Sequence, residues 1–98
     1  VICINDSVTP GALHQISLRG LKIPEDISVV AIGSSDIMDL FQPPLTTVKI
    51  AVTKIGQTVA QILIRLIENG SCSERHVVIP SELIIRDSTC AARDPKQT

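Results

Sequence analysis

Two continuous apolar runs flank a helical pattern in VICINDSVTPGALHQISLRGLKIPEDISVVAI, residues 1–32. Residues 1–4 and 27–32 are these runs, and both are rich in the β-branched residues that suit buried strands. Between them, Pro10 is tolerated only in a first helical turn, and Gly20 stops the helix. The order strand, helix, strand predicts a parallel, right-handed unit and therefore an α/β fold whose strands are buried on both faces.

The rest of the chain continues this pattern and contains one strongly amphipathic helix. Its apolar positions fall on a single helical stripe that ends at Asn69-Gly70: Ile55, Val59, Ile62, Leu63, Leu66 and Ile67. Residues 37–41 predict one helical turn, and Pro43-Pro44 excludes a central strand. Short extended segments are predicted at residues 46–50, 77–79 and 83–85.

Composition excludes several classes of function. The 98 residues carry 9 Lys+Arg against 10 Asp+Glu, a net charge of −1, with one aromatic residue, so we expect no direct binding of nucleic acid by this chain. The three scattered cysteines and two histidines lack metal-ligand spacing, and no nucleophile or cofactor motif is present. We therefore expect no metal, no cofactor, no catalysis and no membrane span. A chain this small buries only part of its surface, so a mean hydropathy of +0.32 predicts that apolar side chains remain exposed. We expect segments outside this chain to cover them.

Polar residues follow both predicted strands of the first unit. Asn5 and Asp6 come after the first strand, and residues 33–36 (Gly-Ser-Ser-Asp) come after the second. Ligands of open α/β sheets bind beyond the carboxyl ends of the strands, so these residues are candidates for a binding site. The alternative is that Asn5 and Asp6 only cap the following helix, with Asp6 or Thr9 as the capping residue.

Several segments at consistent spacing resemble the C-terminal part of the lactose-repressor/galactose-repressor family of bacterial transcription regulators. The resemblance spans residues 1 to about 90, and its most specific parts are PEDISVV and PPLTTV. The segments are Asn5-Asp6, residues 11–13 (GAL), 20–21 (GL), 23–30 (IPEDISVV), 43–48 (PPLTTV), 56–57 (GQ), 63–67, 79–80 and 86–89 (RDST).

The resemblance implies a three-layer, parallel-sheet periplasmic-binding-protein-like (type I) fold, present here as a C-terminal fragment. Residues 1–49 would end the C-terminal effector-binding subdomain. Residues 50–79 would be a helix and strand returned to the N-terminal subdomain, and residues 80–98 would cross back as a final strand and tail. The family binds a small effector, here a sugar or sugar-like molecule, in the cleft between its subdomains.

The resemblance also implies partners and a location. Family members are cytoplasmic homodimers that bind operator DNA through an N-terminal helix-turn-helix, which this chain lacks. Gly33 and Ser34 stand where many members have two carboxylate or amide residues, so an aspartate that binds sugar hydroxyls in many members is replaced by Gly33. Three alternatives follow: residues 34–36 take over its role, the effector is not a typical sugar, or the regulator has no small effector. The expected effector-binding residues are Asn5, Asp6, Ser34, Ser35, Asp36 and Val52. The expected dimer-interface residues are Leu13, His14, Ser17, Leu40 and Phe41, although core burial of the last two is an alternative.

Two other functions fit the same fold. A periplasmic sugar-binding protein of a transporter would have the same core without a DNA-binding head. An enzyme on a doubly wound sheet is the third hypothesis, and it lacks support because fold alone does not specify chemistry.

Overall fold

The computed structural model describes residues 1–34, 36–73 and 76–93. They form a small α/β unit with a long helix beside it. In chain order the elements are β1 (Ile2–Cys3), α1 (Thr9–Leu18), β2 (Val30–Gly33), a single 3₁₀ turn (Asp36–Asp39), β3 (Thr46–Lys49), α2 (Val52–Asn69) and β4 (Glu82–Ile84).

The four strands form one sheet in the order β1-β2-β3-β4. The first three are parallel, with Cys3 beside Ala31 and Ala31 beside Thr47, which confirms the predicted strand–helix–strand unit. β4 runs antiparallel to β3, with Leu83 opposite Val48, so the sheet is mixed. The sequence indicated an extended segment at β4 but not its direction.

A small core lies between α1 and the sheet. Cys3, Ala31 and Met38 are buried, and Ile16 of α1 packs with them, together with Val29 and Leu45. β1 lies at one edge of the sheet, and only Cys3 of its apolar run is buried. Ile2 and Ile4 are 72% and 70% exposed, so the expected burial of this strand on both faces is wrong for the described chain, in which no element covers the second face.

The polar segment after β4 is tied into the sheet by side-chain hydrogen bonds. The Ser88 hydroxyl donates to the Val29 carbonyl at 2.5 Å and accepts from the Thr46 amide at 2.8 Å. Arg86 donates through Nη1 to the Leu45 carbonyl at 2.7 Å and to Thr47 Oγ1 at 2.9 Å. The RDST and PPLTTV segments therefore contact each other, although they are about 40 residues apart.

Helix α2 matches the helix predicted from the apolar stripe, and Gly70 ends it with φ 72° in the left-handed region. None of its residues is buried, and Val59, Leu63 and Ile67 are among its exposed apolar side chains. Residues 77–79, expected to be extended, lie outside any strand. Within the described ranges, no helix is long and apolar enough to cross a membrane.

Replacing Ser88 with alanine tests the attachment of the C-terminal segment. Ser88→Ala leaves the Val29 carbonyl and the Thr46 amide without their hydroxyl partner in a buried place, so we expect the free energy of unfolding to fall by about 2 kcal/mol. Urea denaturation of the intact protein measures this change. Ser81→Ala, at an exposed position before β4, is the matched control and should change stability little. Equal stability of both variants would contradict the anchoring role of Ser88.

Candidate ligand-binding site

The carboxyl ends of β1, β2 and β3 meet at one edge of the sheet because these strands are parallel. Asn5 and Asp6 follow β1 at this edge, Ser34 follows β2, and Lys49 ends β3. The edge therefore collects amide, carboxylate, hydroxyl and ammonium groups within a few residues of the strand ends. This is the juxtaposition that the sequence predicted for the two polar clusters.

Asn5 organises the turn that leads into α1. Its Oδ1 accepts hydrogen bonds from the amides of Ser7 at 2.9 Å and Val8 at 2.8 Å. Its carbonyl oxygen accepts from the Thr9 hydroxyl at 2.8 Å. The expectation that Asp6 or Thr9 caps the helix is wrong, because Val8 occupies the N-cap position and makes no side-chain hydrogen bond. The amides of Ser7 and Val8, just before the helix, are instead bound by the Asn5 side chain.

The Asn5 side chain has capacity left for a ligand. Its Oδ1 is occupied by two amides, but in the described part of the chain no acceptor holds its Nδ2 group. The residue is exposed, so this nitrogen can donate to a molecule bound at the edge. The Asn5 side chain can therefore support the turn before α1 and bind a ligand at the same time, although it does not cap the helix itself.

Asp6 sits against Gly33, the last residue of β2. An added Cβ at position 33 would overlap the Asp6 carboxylate, meeting its Oδ1 and lying 2.8 Å from its Cγ. Asp6 Oδ1 is buried and has no hydrogen-bond partner among the residues that the structure describes. Sequence reasoning named both residues but missed this contact, because nothing in a single sequence shows that residues 6 and 33 meet.

Two of the remaining effector candidates line an open concavity of about 430 Å³ between the end of β2, the end of β3 and the start of α2. Ser34 and Val52 line it together with Lys49 and Gln57. Asp36 is paired with Lys49, with 3.1 Å between its Oδ1 and the ammonium Nζ, and both side chains are solvated. Ser35 lies outside the described residues.

Two of the expected interface residues lie on a second groove. Leu13 and Ser17 on α1 form one wall, and Gln42 and Pro43 form the other. Leu13 is half-buried because it also packs against the core. The structure thus brings the α1 face beside the proline segment, as the dimer hypothesis requires.

The other interface candidates differ in exposure. Leu40 is 77% exposed, and His14 is also exposed. Phe41 is half-buried and packs against the core, so the alternative of core burial applies in part to Phe41 and not to Leu40. Among the residues that the structure describes, no group of three His, Cys, Asp or Glu side chains could hold a metal ion.

Comparison with known proteins identifies the class to which this chain belongs. The family model for the periplasmic binding protein-like domain matches residues 1–89, so the chain belongs to that family. The resemblance to regulators of the lactose-repressor type is confirmed by relatives and by solved structures.

Among the relatives, the chain is 33% identical over 88 residues to the HTH-type transcriptional repressor PurR of Vibrio vulnificus, and this match covers 90% of the chain. It is 36% identical over 89 residues to the NTD biosynthesis operon regulator NtdR of Bacillus subtilis, with 87% covered. The chain spans only 26% of the length of each relative. A LacI family regulator from Enterococcus faecalis with bound ribose matches with a TM-score of 0.80 and 30% identity, over 95% of this chain and 36% of that one.

Two substitutions at Asn5 test whether its side chain supports the turn before α1. Asn5→Ala removes the acceptor of two turn amides, so we expect the free energy of unfolding to fall by about 1 kcal/mol. Asn5→Asp keeps an acceptor oxygen for the two turn amides while it replaces the Nδ2 donor with a charged oxygen; because position 5 is exposed, stability should stay near that of wild type. Chemical denaturation of the intact protein measures both. If Asn5→Ala is as stable as wild type, the side chain does not support the turn.

Proposed function

We propose that this chain is the effector-binding and dimerisation region of a bacterial DNA-binding transcriptional repressor. Its effector binds in the cleft between two α/β subdomains, and this chain supplies one side of that cleft. The proposal depends chiefly on one observation: Asn5, Asp6 and Ser34 follow the carboxyl ends of neighbouring parallel strands, and Ser34 lines the concavity at the start of α2. Binding without catalysis is the role that we assign.

A sugar or sugar-like molecule is the effector class that we assign. Asn5 offers its Nδ2 group as a neutral donor, and Ser34 offers a hydroxyl that donates and accepts, which suits the hydroxyl groups of a sugar. The Enterococcus faecalis regulator, which is 30% identical to this chain, has ribose bound in its crystal structure. The transporter alternative is weaker, because the curated relatives compared above are a repressor and an operon regulator.

The division of the chain between two subdomains is also part of this proposal. Residues 1–49 contain β1 to β3 and the core, which supports one subdomain. In the segment 50–79, α2 buries none of its residues, and its apolar side chains Ile55 and Ile62 line an open groove with Ile79. We infer that α2 and residues 77–79 pack on the other subdomain, and that residues 80–98 return to the first.

We further propose that the intact protein is a cytoplasmic homodimer that binds operator DNA through an N-terminal helix-turn-helix outside this chain. A cytoplasmic location follows from that DNA partner. The exposed Leu40 and the groove beside Leu13 and Ser17 support the dimer contact, since exposed apolar groups near a groove are typical of interfaces.

DNA binding that responds to sugar tests the regulator assignment. Fluorescence anisotropy with DNA from upstream of the gene should show specific binding by the intact protein, and a neutral sugar that binds it should change the DNA affinity at least tenfold. Residues 1–98 alone should not retain the same DNA at physiological salt, because the chain has a net charge of −1. Specific DNA retention by residues 1–98, or a DNA affinity that no sugar alters, would contradict the proposal.

The dimer contact is tested at Leu40 rather than at Phe41, since Phe41 also supports the core. Leu40→Ala in the intact protein should weaken dimerisation by about tenfold or more, because a central apolar anchor contributes roughly 2 kcal/mol. Sedimentation equilibrium at low micromolar concentration measures the dissociation constant. Leu83→Ala, at a residue 60% exposed in β4, is the control and should leave it unchanged. A dimer equally stable in both variants would place the interface elsewhere.

A further inference from the structure

Lys49 is the last residue of the sheet before the chain leaves for α2, and Glu82 is the first residue of the sheet after the chain returns. Lys49 ends β3, Glu82 begins β4, and the two are direct partners in the antiparallel pair. Directly opposed residues lie on the same face of a sheet, with their Cβ atoms about 5 Å apart. The two connections between the sheet and the α2 segment are therefore adjacent, with a cation at one and an anion at the other.

The backbone of Lys49 is fixed, whereas its side chain can reach either neighbouring strand. β3 lies between β2 and β4, and Lys49 is paired with Gly33 on one side and with Glu82 on the other. On the β2 side, its ammonium Nζ lies 3.1 Å from Oδ1 of Asp36. Glu82 makes no ion pair with any residue that the structure describes. Lys49 thus has one carboxylate partner and a second within reach of its long, flexible side chain.

A sharp turn separates Lys49 from α2. Ala51 has φ −79° and ψ 69°, the conformation of an inverse γ-turn, and the Val52 amide donates to the Ile50 carbonyl at 2.9 Å. The Ile50 amide donates to the Gly33 carbonyl at 2.9 Å, so the chain is bound to the sheet up to this point. Ala51 therefore joins a fixed strand to a helix of which no residue is buried, and it is the position at which α2 can change direction relative to the sheet.

The concavity at the start of α2 is lined by two lysines from different elements. Lys49 lines it from the end of β3, and Lys54 lines it from the first turn of α2. When α2 turns at Ala51 so that the concavity narrows, the two ammonium groups approach each other, and like charges repel. A Lys49 side chain that points towards Glu82, on the β4 side, avoids this repulsion. The open concavity has room for the pair with Asp36.

We propose that Lys49 exchanges its ion-pair partner as the two subdomains move: it pairs with Asp36 when the concavity is open and with Glu82 when the concavity is narrowed around a bound effector. Exposed ion pairs contribute little free energy each, so the exchange is nearly balanced and effector binding can shift it. The charges of Asp36 and Glu82 then set the balance between the two arrangements. This inference rests on the proposed function, because it requires an effector and a second subdomain.

Substitutions of the two carboxylates test the exchange, because they should act in opposite directions. A thermal-shift panel of D-ribose, D-glucose, D-galactose and lactose identifies a sugar that binds the intact protein, and calorimetry gives its affinity. Asp36→Asn removes the partner of the open arrangement, so we expect about threefold tighter binding. Glu82→Gln removes the partner of the narrowed arrangement, so we expect about threefold weaker binding. Asp39→Asn, on the same turn as Asp36, is the matched control and should bind as wild type does.

Three further measurements show whether these effects depend on Lys49. In a Lys49→Gln background, neither carboxylate substitution should change the affinity, because the shared partner is gone. With Lys49 present, both effects should shrink in about 1 M NaCl, because salt screens exposed charges. A crystal structure of the intact protein with the sugar bound should place the Lys49 ammonium within about 4 Å of the Glu82 carboxylate.

The outcomes distinguish this inference from the proposed function. If no sugar of the panel binds the wild type, the assignment of a sugar effector fails, and this inference is overturned with it. If a sugar binds but both substitutions shift its affinity in the same direction, or neither does, the proposed function stands and the exchange at Lys49 is overturned. Weaker binding by Asp36→Asn, or effects that persist in the Lys49→Gln background, would likewise overturn the exchange.

Discussion

The hydroxyl of Ser88 is the contact on which the described structure depends most. It donates to the carbonyl of Val29, just before β2, and accepts from the amide of Thr46, the first residue of β3. These backbone groups are polar and buried, so without Ser88 each would lack a partner. One side chain from the end of the chain thereby holds the beginnings of two parallel strands side by side.

The register of β1, β2 and β3 determines which residues lie side by side at their carboxyl ends. β2 and β3 stay paired from Val30 beside Thr46 to Gly33 beside Lys49, and β1 pairs with β2 on the other side. The loop after β1 then passes the end of β2, and Asp6 comes to rest against Gly33. The polar edge is therefore a consequence of strand register.

Some of this structure could be predicted from sequence because it depends on local patterns. Helix α2 follows from its 3.6-residue stripe and from Gly70, and the β1–α1–β2 unit follows from two apolar runs flanking Pro10 and Gly20. The contact of Asp6 with Gly33 and the bonds of Ser88 could not, because they join residues that only the folded chain brings together. The exposure of Ile2 and Ile4 differs from expectation for a related reason. An apolar run indicates that a strand suits burial, but it does not show which element covers each face.

The central claim is that the strand edge formed by the loop after β1 and the end of β2 binds the effector. Hydrogen–deuterium exchange of the intact protein, with and without a sugar that binds it, tests this claim most directly. The account predicts slower amide exchange with sugar in peptides covering residues 3–9 and 32–34, because a bound molecule would order both. Sugar binding that leaves exchange unchanged in both segments, while slowing it elsewhere, would contradict the account.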